Sequence, residues 1–209
     1  MKRTMKYIAS LLLVAVVVYN SVYFKKLNEV KAEAAGFNAA NYAREFWNKK
    51  LPEHTGKAIE IGQLLALFQT DKEKAFADYS HALGIGNVKY FLVKGSGIVQ
   101  SVDENQVSVR IESEKEKPEV FIATEYVFGN AVRDASGEID INEFTNSMDF
   151  NNVSAEINKI IRQKVIPPFR AQVKKGDRIS FSGAIELNKE HLSTRSIEVI
   201  PIDLRIIKE

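Results

Sequence analysis

No cysteine occurs in the 209 residues. That absence removes disulfides, a thiol nucleophile, thiolate metal sites and any acceptor for a lipid. It is compatible with every redox compartment, so location has to be read elsewhere. An excess of charge of one sign is also missing, because 29 Lys and Arg stand against 27 Asp and Glu for a formal charge of +2. A dedicated nucleic-acid binder needs concentrated positive charge to displace counterions from phosphate, so no nucleic acid is expected as a partner. The three histidines, His54, His81 and His191, lack the paired spacing of metal ligands. No serine sits in a glycine-flanked nucleophile elbow. Lys94-Gly95-Ser96-Gly97 lacks the following helix and the lysine-serine element of a phosphate loop, and reads as a twisted or bulged strand. No cofactor is expected.

What is present describes a folded chain with an apolar leader. Hydrophobic residues make up 45% and charged residues 27%, ordinary values for a chain with a core. Lys2, Arg3 and Lys6 precede the apolar run Tyr7 to Phe24, and Lys25 and Lys26 follow it. As a helix rising about 1.5 Å per residue this run spans roughly 27 Å, enough to cross a bilayer. The leading cations place the start of the chain in the cytoplasm and the remainder on the far side. A cleaved signal peptide would need small residues directly after the apolar stretch. Ala32-Glu33-Ala34 lies beyond Lys25, Lys26, Glu29 and Lys31, so the segment reads as a retained single-pass anchor.

From Gly36 to Gly84 the apolar pattern is helical. Phe37 and Asn38 form a staple and cap ahead of Tyr42 and Phe46, with Pro52 closing the first helix. Ile61, Leu64, Leu65 and Phe68 make the stripe of a second. Thr70-x-x-Glu73 reads as the capping box of a third that buries Phe76, Tyr79 and Leu83 and ends at Gly84. After Gly86 the period changes to two. Tyr90 to Val102, Gln106 to Glu112 and Glu119 to Phe128 read as strands, and Asn152 to Val165 as a helix stopped by Pro167-Pro168. Ile179 to Leu187 and Ile197 to Ile207 add two strands, the last with Pro201 at an edge or bulge. Three strands, a helix and two strands is the element order of a five-stranded OB-like antiparallel β-barrel with an inserted helix. In that arrangement Gly95, Gly97 and Gly183 sit where strands bend; an open antiparallel sheet backed by the same helix is the alternative. The expected fold is therefore α+β: an N-terminal transmembrane helix (1–26), a helical segment (27–86) and the OB-like barrel (87–209).

Asp134 to Phe144 invites a calcium reading, with Gly137 at the sixth position of a loop and Glu143 at the twelfth. Val132 then stands where the first carboxylate belongs, and a strand precedes where a helix is required. The segment reads instead as a surface turn followed by a helix cap, and no metal is expected. Lys164, Arg170, Lys174, Lys175 and Arg178 form a basic stretch that could rest on anionic headgroups, against the ordinary reading of a solvated loop. Trp47, beside Tyr42 and Phe46, could stack on a sugar ring or simply pack.

The words Gly129-Asn130-Ala131-Val132-Arg133-Asp134-Ala135, Ile139-Asp140-Ile141-Asn142-Glu143-Phe144-Thr145-Asn146 and Phe181-Ser182-Gly183-Ala184, with Phe37 to Trp47 and Tyr90 to Gly97, resemble a bacterial family of predicted periplasmic lipoproteins of unknown function. The resemblance implies association with ATP-driven sugar importers and implies no catalytic residue. A lipoprotein needs an acceptor cysteine, so here the apolar segment would replace the lipid as tether. Two readings follow. The first is a non-enzymatic, membrane-held periplasmic binding or accessory module for a small carbohydrate, another solute or an importer component, with Asn130, Arg133, Asp134, Asp140, Asn142 and Asn146 as candidate ligand contacts. The second is a cell-envelope hydrolase or isomerase using the same polar segment, where arginine beside carboxylates could orient an anionic substrate.

Overall fold

The computed structural model describes residues 36–84, 86–112 and 118–208, with Tyr7, Leu13 and Val14 besides. The expected anchor Tyr7 to Phe24 otherwise lies outside the described residues, among which no helix is long and apolar enough to cross a membrane. The chain divides at Phe37 into two units, and the second carries every element below.

Helix α1 (Ala39–Glu45) starts at Asn38, whose Oδ1 accepts the Asn41 N–H at 2.9 Å. It widens into a π turn, Phe46–Lys50, and continues as α2 (Leu51–Gly56), so Pro52 does not end the segment. The ring of a proline in a helix collides with the carbonyl four residues back and cannot donate to it. In the π turn the Leu51 N–H reaches back five residues to the Phe46 carbonyl, and the proline enters as the first turn of a new helix. Strand β1 (Ile59–Glu60), α3 (Ile61–Thr70), α4 (Lys72–Tyr79) and β2 (Ser80–His81) follow. Thr70 ends α3, its hydroxyl donating to the Ala66 carbonyl, and Asp71 is the cap that receives the Lys74 N–H. Helix α4 stops at Tyr79 rather than Gly84, which leaves Leu83 exposed.

Strands β3 (Val88–Val102), β4 (Gln106–Ile111) and β5 (Glu119–Ala123) form a meander. Helix α5 (Ala131–Ser136), a 3-10 turn (Ile141–Glu143) and α6 (Ser147–Ile160) come next, and a second π turn (Ile161–Val165) leads into α7 (Ile166–Arg170). Pro167-Pro168 therefore starts α7 instead of stopping α6, and the Ile166 N–H reaches the Ile161 carbonyl as Leu51 does Phe46. Strands β6 (Arg178–Asn188) and β7 (Ile197–Ile206) complete the chain.

Five strands close on themselves. β3 pairs antiparallel with β4 and β4 with β5; β5 runs parallel to β7; β7 pairs antiparallel with β6, and β6 returns to β3. β3 serves both neighbours by bending, and Gly97 pairs with Ile111 on one side and Ile179 on the other. A Cβ on Gly97 would lie 2.3 Å from the Arg110 carbonyl oxygen, so only glycine permits the approach. Pro201 sits at a bulge opposite Gly183, and β7 is an interior strand of the ring.

The inner residues Val93, Val107, Val109, Val120, Ile122 and Ile179 are fully or almost fully buried in one core with Leu64, Leu65, Phe68 and Phe76 of α3 and α4. The helical segment is thus stitched to the ring. β1 pairs with Val93 and Lys94, β2 with Phe91 and Tyr90, and the Phe68 and Phe76 rings meet Phe91 edge-on at 5.7 and 5.2 Å. On the opposite face of the strands Leu92, Ala184, Ile200 and Ile202 are also buried, with α5 lying against β3 and β6 and α1 against α6. Helix α6 directs Val153, Ile157 and Ile160 inward. Full burial contributes about 1.5–3 kcal/mol per such side chain. That outweighs the ~0.5 kcal/mol helix-propensity cost of each β-branched residue.

Candidate functional site

After Ala123 the chain leaves the sheet: the Thr124 N–H bond to the Asn105 carbonyl in the β3–β4 turn is the last rung of the β4–β5 ladder, one step beyond Ala123 opposite Gln106. The expected strand through Phe128 is therefore a loop from Thr124 onward. It holds Tyr126 and Phe128 outside the core, 61% and 66% exposed, with their rings stacked 6.4 Å apart. Gly129 turns the chain with φ 75°, a conformation that favours glycine, and delivers its carbonyl to the Asn158 amide of α6 at 2.7 Å.

Asn130 and α5 follow. The Arg133 Nε donates to the Asp134 carboxylate at 2.6 Å and its Nη1 to the Phe150 carbonyl at 3.2 Å, while the guanidinium lies 3.6 Å over the Phe150 ring. The Asn130 amide donates both to Asp134 and to the Tyr90 hydroxyl. Arg133 and Asp134 are 4% and 5% exposed, a desolvated pair bound to each other, to the Phe150 carbonyl and to the Asn130 amide. Burial pushes the Tyr90 hydroxyl up, opposed by the bond from Asn130 and assisted by the charges of Glu186 and Asp134.

Between the Phe128–Asn130 loop and α6 lies a cleft of about 420 Å³, within the usual range for small-molecule sites. One wall comes from the loop and Arg133, the other from Asn151, Ser154, Ala155, Asn158 and Arg162. These last five recur at helical spacing, and four of them, all but Ala155, make a polar stripe beside the apolar one. Arg162 donates to the Val127 carbonyl and places its guanidinium carbon 5.5 Å from the centre of the Phe128 ring. Among the described residues no carboxylate pairs with Arg162, and none lines the cleft. The Ser154 hydroxyl is closed from solvent and has no hydrogen-bond partner among the described residues. A serine in a helix usually donates to the carbonyl four residues back. Here that carbonyl belongs to Phe150 and already serves Arg133 as well as the helix ladder.

Of the six residues expected at the site, Asn130 and Arg133 line the cleft and Asp134 stands behind them. Asp140 caps the 3-10 turn by accepting the Asn142 N–H and side-chain amide. Asn146 caps α6 by accepting the Asp149 N–H at 2.8 Å. Neither these two nor Asn142 lines the cleft. Ser154, Asn158, Arg162 and Phe128 do, and sequence reasoning passed over them. The signal available was the Ser154/Asn158/Arg162 spacing beside Val153 and Ile157.

Among the acids of the would-be calcium loop, Asp134 turns to Arg133, Glu138 to Lys50 and His54 at 2.9 and 3.2 Å, and Glu143 accepts from the Tyr42 hydroxyl. Among the described residues no group of three His, Asp or Glu side chains could hold a metal ion. The bond from Lys50 holds the Glu138 carboxyl below the usual range. Trp47 is half-buried, and Arg170 and Arg178 of the basic stretch engage the Asp103 and Glu104 carbonyls and the Glu112 carboxylate.

Residues 12–205 match the model of a family described as predicted periplasmic lipoprotein, DUF2291. The chain is similar to the crystal structure of an OB-fold protein from Thermotoga maritima, at 25% identity and a TM-score of 0.73, over 82% of this chain and 99% of that one. The fold is thus mixed α+β with an OB-fold structural neighbour. No curated protein sequence matches.

Proposed function

We propose that this chain, which belongs to the DUF2291 family of predicted periplasmic lipoproteins, is a membrane-held extracytoplasmic module that binds a small polar solute such as a carbohydrate and serves its import without catalysing a reaction. The observation that carries this reading is the cleft. Its walls offer amide and guanidinium groups, and exposed Phe128, stacked on Tyr126, lines it where a sugar ring can rest.

The family description supports a location outside the cytoplasm and attachment to a membrane. With no cysteine in the 209 residues to take a lipid, Tyr7 to Phe24 serves as the tether. Support for a non-catalytic role is the commitment of Asp134 to Arg133 and Asn130, which leaves the envelope hydrolase or isomerase reading without a free carboxylate in the cleft. The outer face of β4 and β5, which OB-folds commonly use for oligonucleotides, carries Glu119 opposite Arg110 and Phe121 opposite Glu198 of β7. Burial, with Glu186 adding to it, raises the Glu198 carboxyl. Acids there disfavour a polyphosphate chain, so the solute is placed in the cleft instead.

Calorimetric titration of the purified protein with neutral and acidic mono- and disaccharides tests the reading. Saturable binding weakened by Phe128→Ala is expected, and no binding of any of them overturns it.

A further inference from the structure

We propose that the cleft selects solutes carrying an oxyanion, a carboxylate or phosphate attached to a sugar-sized body, and holds that group on Arg162 with the Ser154 hydroxyl. The proposal rests on the binding-module reading and names its substrate class.

Three observations carry it. The first is charge. The chain as a whole is nearly balanced, yet this cleft is lined by two arginines and no carboxylate. Arg133 is neutralised by Asp134 behind it, which leaves Arg162 as the uncompensated charge. Its guanidinium is tied by one bond to the Val127 carbonyl, and a guanidinium has further donors arranged to meet two oxygens at once.

The second is the Ser154 hydroxyl. It is 93% buried by residue, since Ser154 is 7% exposed, and it has no partner among the described residues. Leaving a buried hydroxyl unpaired is unfavourable, and such groups are rare in folded chains. Its customary acceptor is occupied because Arg133 donates to the Phe150 carbonyl. A turn about χ1 presents the hydroxyl to a ligand oxygen in the cleft that Ser154 lines. Asn158, on the same helical face, gives its amide N–H to Gly129, which orients its oxygen as an acceptor for a ligand hydroxyl.

The third is the aromatic rim. Phe128 lies 5.5 Å from the Arg162 guanidinium carbon, so a ring resting on the phenyl edge brings an attached acid group to the arginine. Stacking alone does not distinguish a sugar from its acid; the arginine does.

The test is calorimetry on the purified full-length protein with four probes: glucose, glucuronate, glucose 6-phosphate and inorganic phosphate. The expected result is that glucuronate or glucose 6-phosphate binds at least about tenfold more tightly than glucose, since a hydrogen-bonded charge contributes ~1.5–3 kcal/mol. Comparison of those two separates carboxylate from phosphate. Arg162→Gln should remove most of that preference while circular dichroism stays unchanged. Ser154→Ala should weaken the acidic probe several-fold and, by deleting an unpaired hydroxyl, leave the ligand-free protein at least as stable. A merely structural serine would not give that opposition.

Glucose bound as tightly as the acids, or a preference that survives Arg162→Gln, overturns the oxyanion inference and leaves the binding module standing. Inorganic phosphate bound as tightly as glucose 6-phosphate also overturns it, because the sugar-sized body then contributes nothing. Absence of binding by every probe overturns both readings.

Discussion

Replacing Asp134 with alanine should cost about 3–5 kcal/mol of folding stability, the usual consequence of removing one partner of a desolvated ion pair. The magnitude follows from what the change leaves behind. Arg133, 4% exposed, keeps its bond to the Phe150 carbonyl and its place over the Phe150 ring, but it loses the charge that balances it. Asn130 loses one of its two acceptors, a further ~1 kcal/mol. Asp134→Asn keeps an acceptor and removes only the charge, so its cost should fall between wild type and alanine. Arg133→Met is a similar loss from the other side, while the double variant removes both charges and should cost at least ~2 kcal/mol less than the two single changes summed. Urea unfolding followed by circular dichroism and by fluorescence of Trp47, the single tryptophan, measures all four proteins. A cost below ~1 kcal/mol for Asp134→Ala, or additivity within ~0.5 kcal/mol, would show that the pair is solvated and refute its structural role.

Two further outcomes are expected. Thr124, 5% exposed, carries a second buried hydroxyl without a partner among the described residues, so the isosteric Thr124→Val should raise stability by about 1 kcal/mol in the same urea assay; a loss would mean the hydroxyl is satisfied in solution. Burial first, and His54 second, hold the His81 imidazole below its ordinary 6.5, so the unfolded chain binds the proton more readily. Stability present above about 6.5 should therefore fall as pH drops through and below that value, and His81→Asn should flatten the urea midpoint between pH 7.5 and pH 5.5; an unchanged slope in the variant would assign the dependence to other groups.

The elements that were legible are those whose apolar side chains repeat along one face. Ile61, Leu64, Leu65 and Phe68, the Val107/Val109/Ile111 alternation, and Val153, Ile157 and Ile160 all point into cores as their spacing requires. The misreadings share a cause, which is that a local rule was answered by a contact elsewhere. Pro52 and Pro167 look like stops, yet a five-residue-back bond ahead of each lets the helix resume. Tyr126 and Phe128 continue an alternating pattern, but the partner strand turns back at Asn105, so pairing runs out at Thr124 and both rings are left exposed. Thr70 and Glu73 have capping-box spacing, and Asp71 supplies the cap. Two of the nine residues lining the cleft were legible for a similar reason. Asn130 and Arg133 stood out in one polar segment, whereas Ser154, Asn158 and Arg162 reach the same cleft from a helix about thirty residues away in sequence, which only folding reveals.

The position of the cleft follows from how the ring is covered. Leu92, Ala184, Ile200 and Ile202 make the outer face of β3, β6 and β7 too apolar to stay wet, and α5 lies on β3 and β6. Because α5 is only six residues long, the loop before it and α6 beyond it are left to meet at its edge, and they do so through polar groups rather than a continuous apolar seam. Where two elements meet that way, a gap lined by amides and guanidinium groups is stable as long as water or a ligand fills it. Thr124 and Ser154 are orphaned at either end of this junction, one where the loop leaves the sheet and one where α6 faces the cleft. If the gap were only imperfect packing, relieving either orphan would be equivalent. If it is a site, Thr124→Val leaves ligand affinity unchanged and Ser154→Ala does not, although both remove a buried hydroxyl. Measuring stability and glucuronate affinity on the same two variants separates the two explanations without any assumption about the physiological solute.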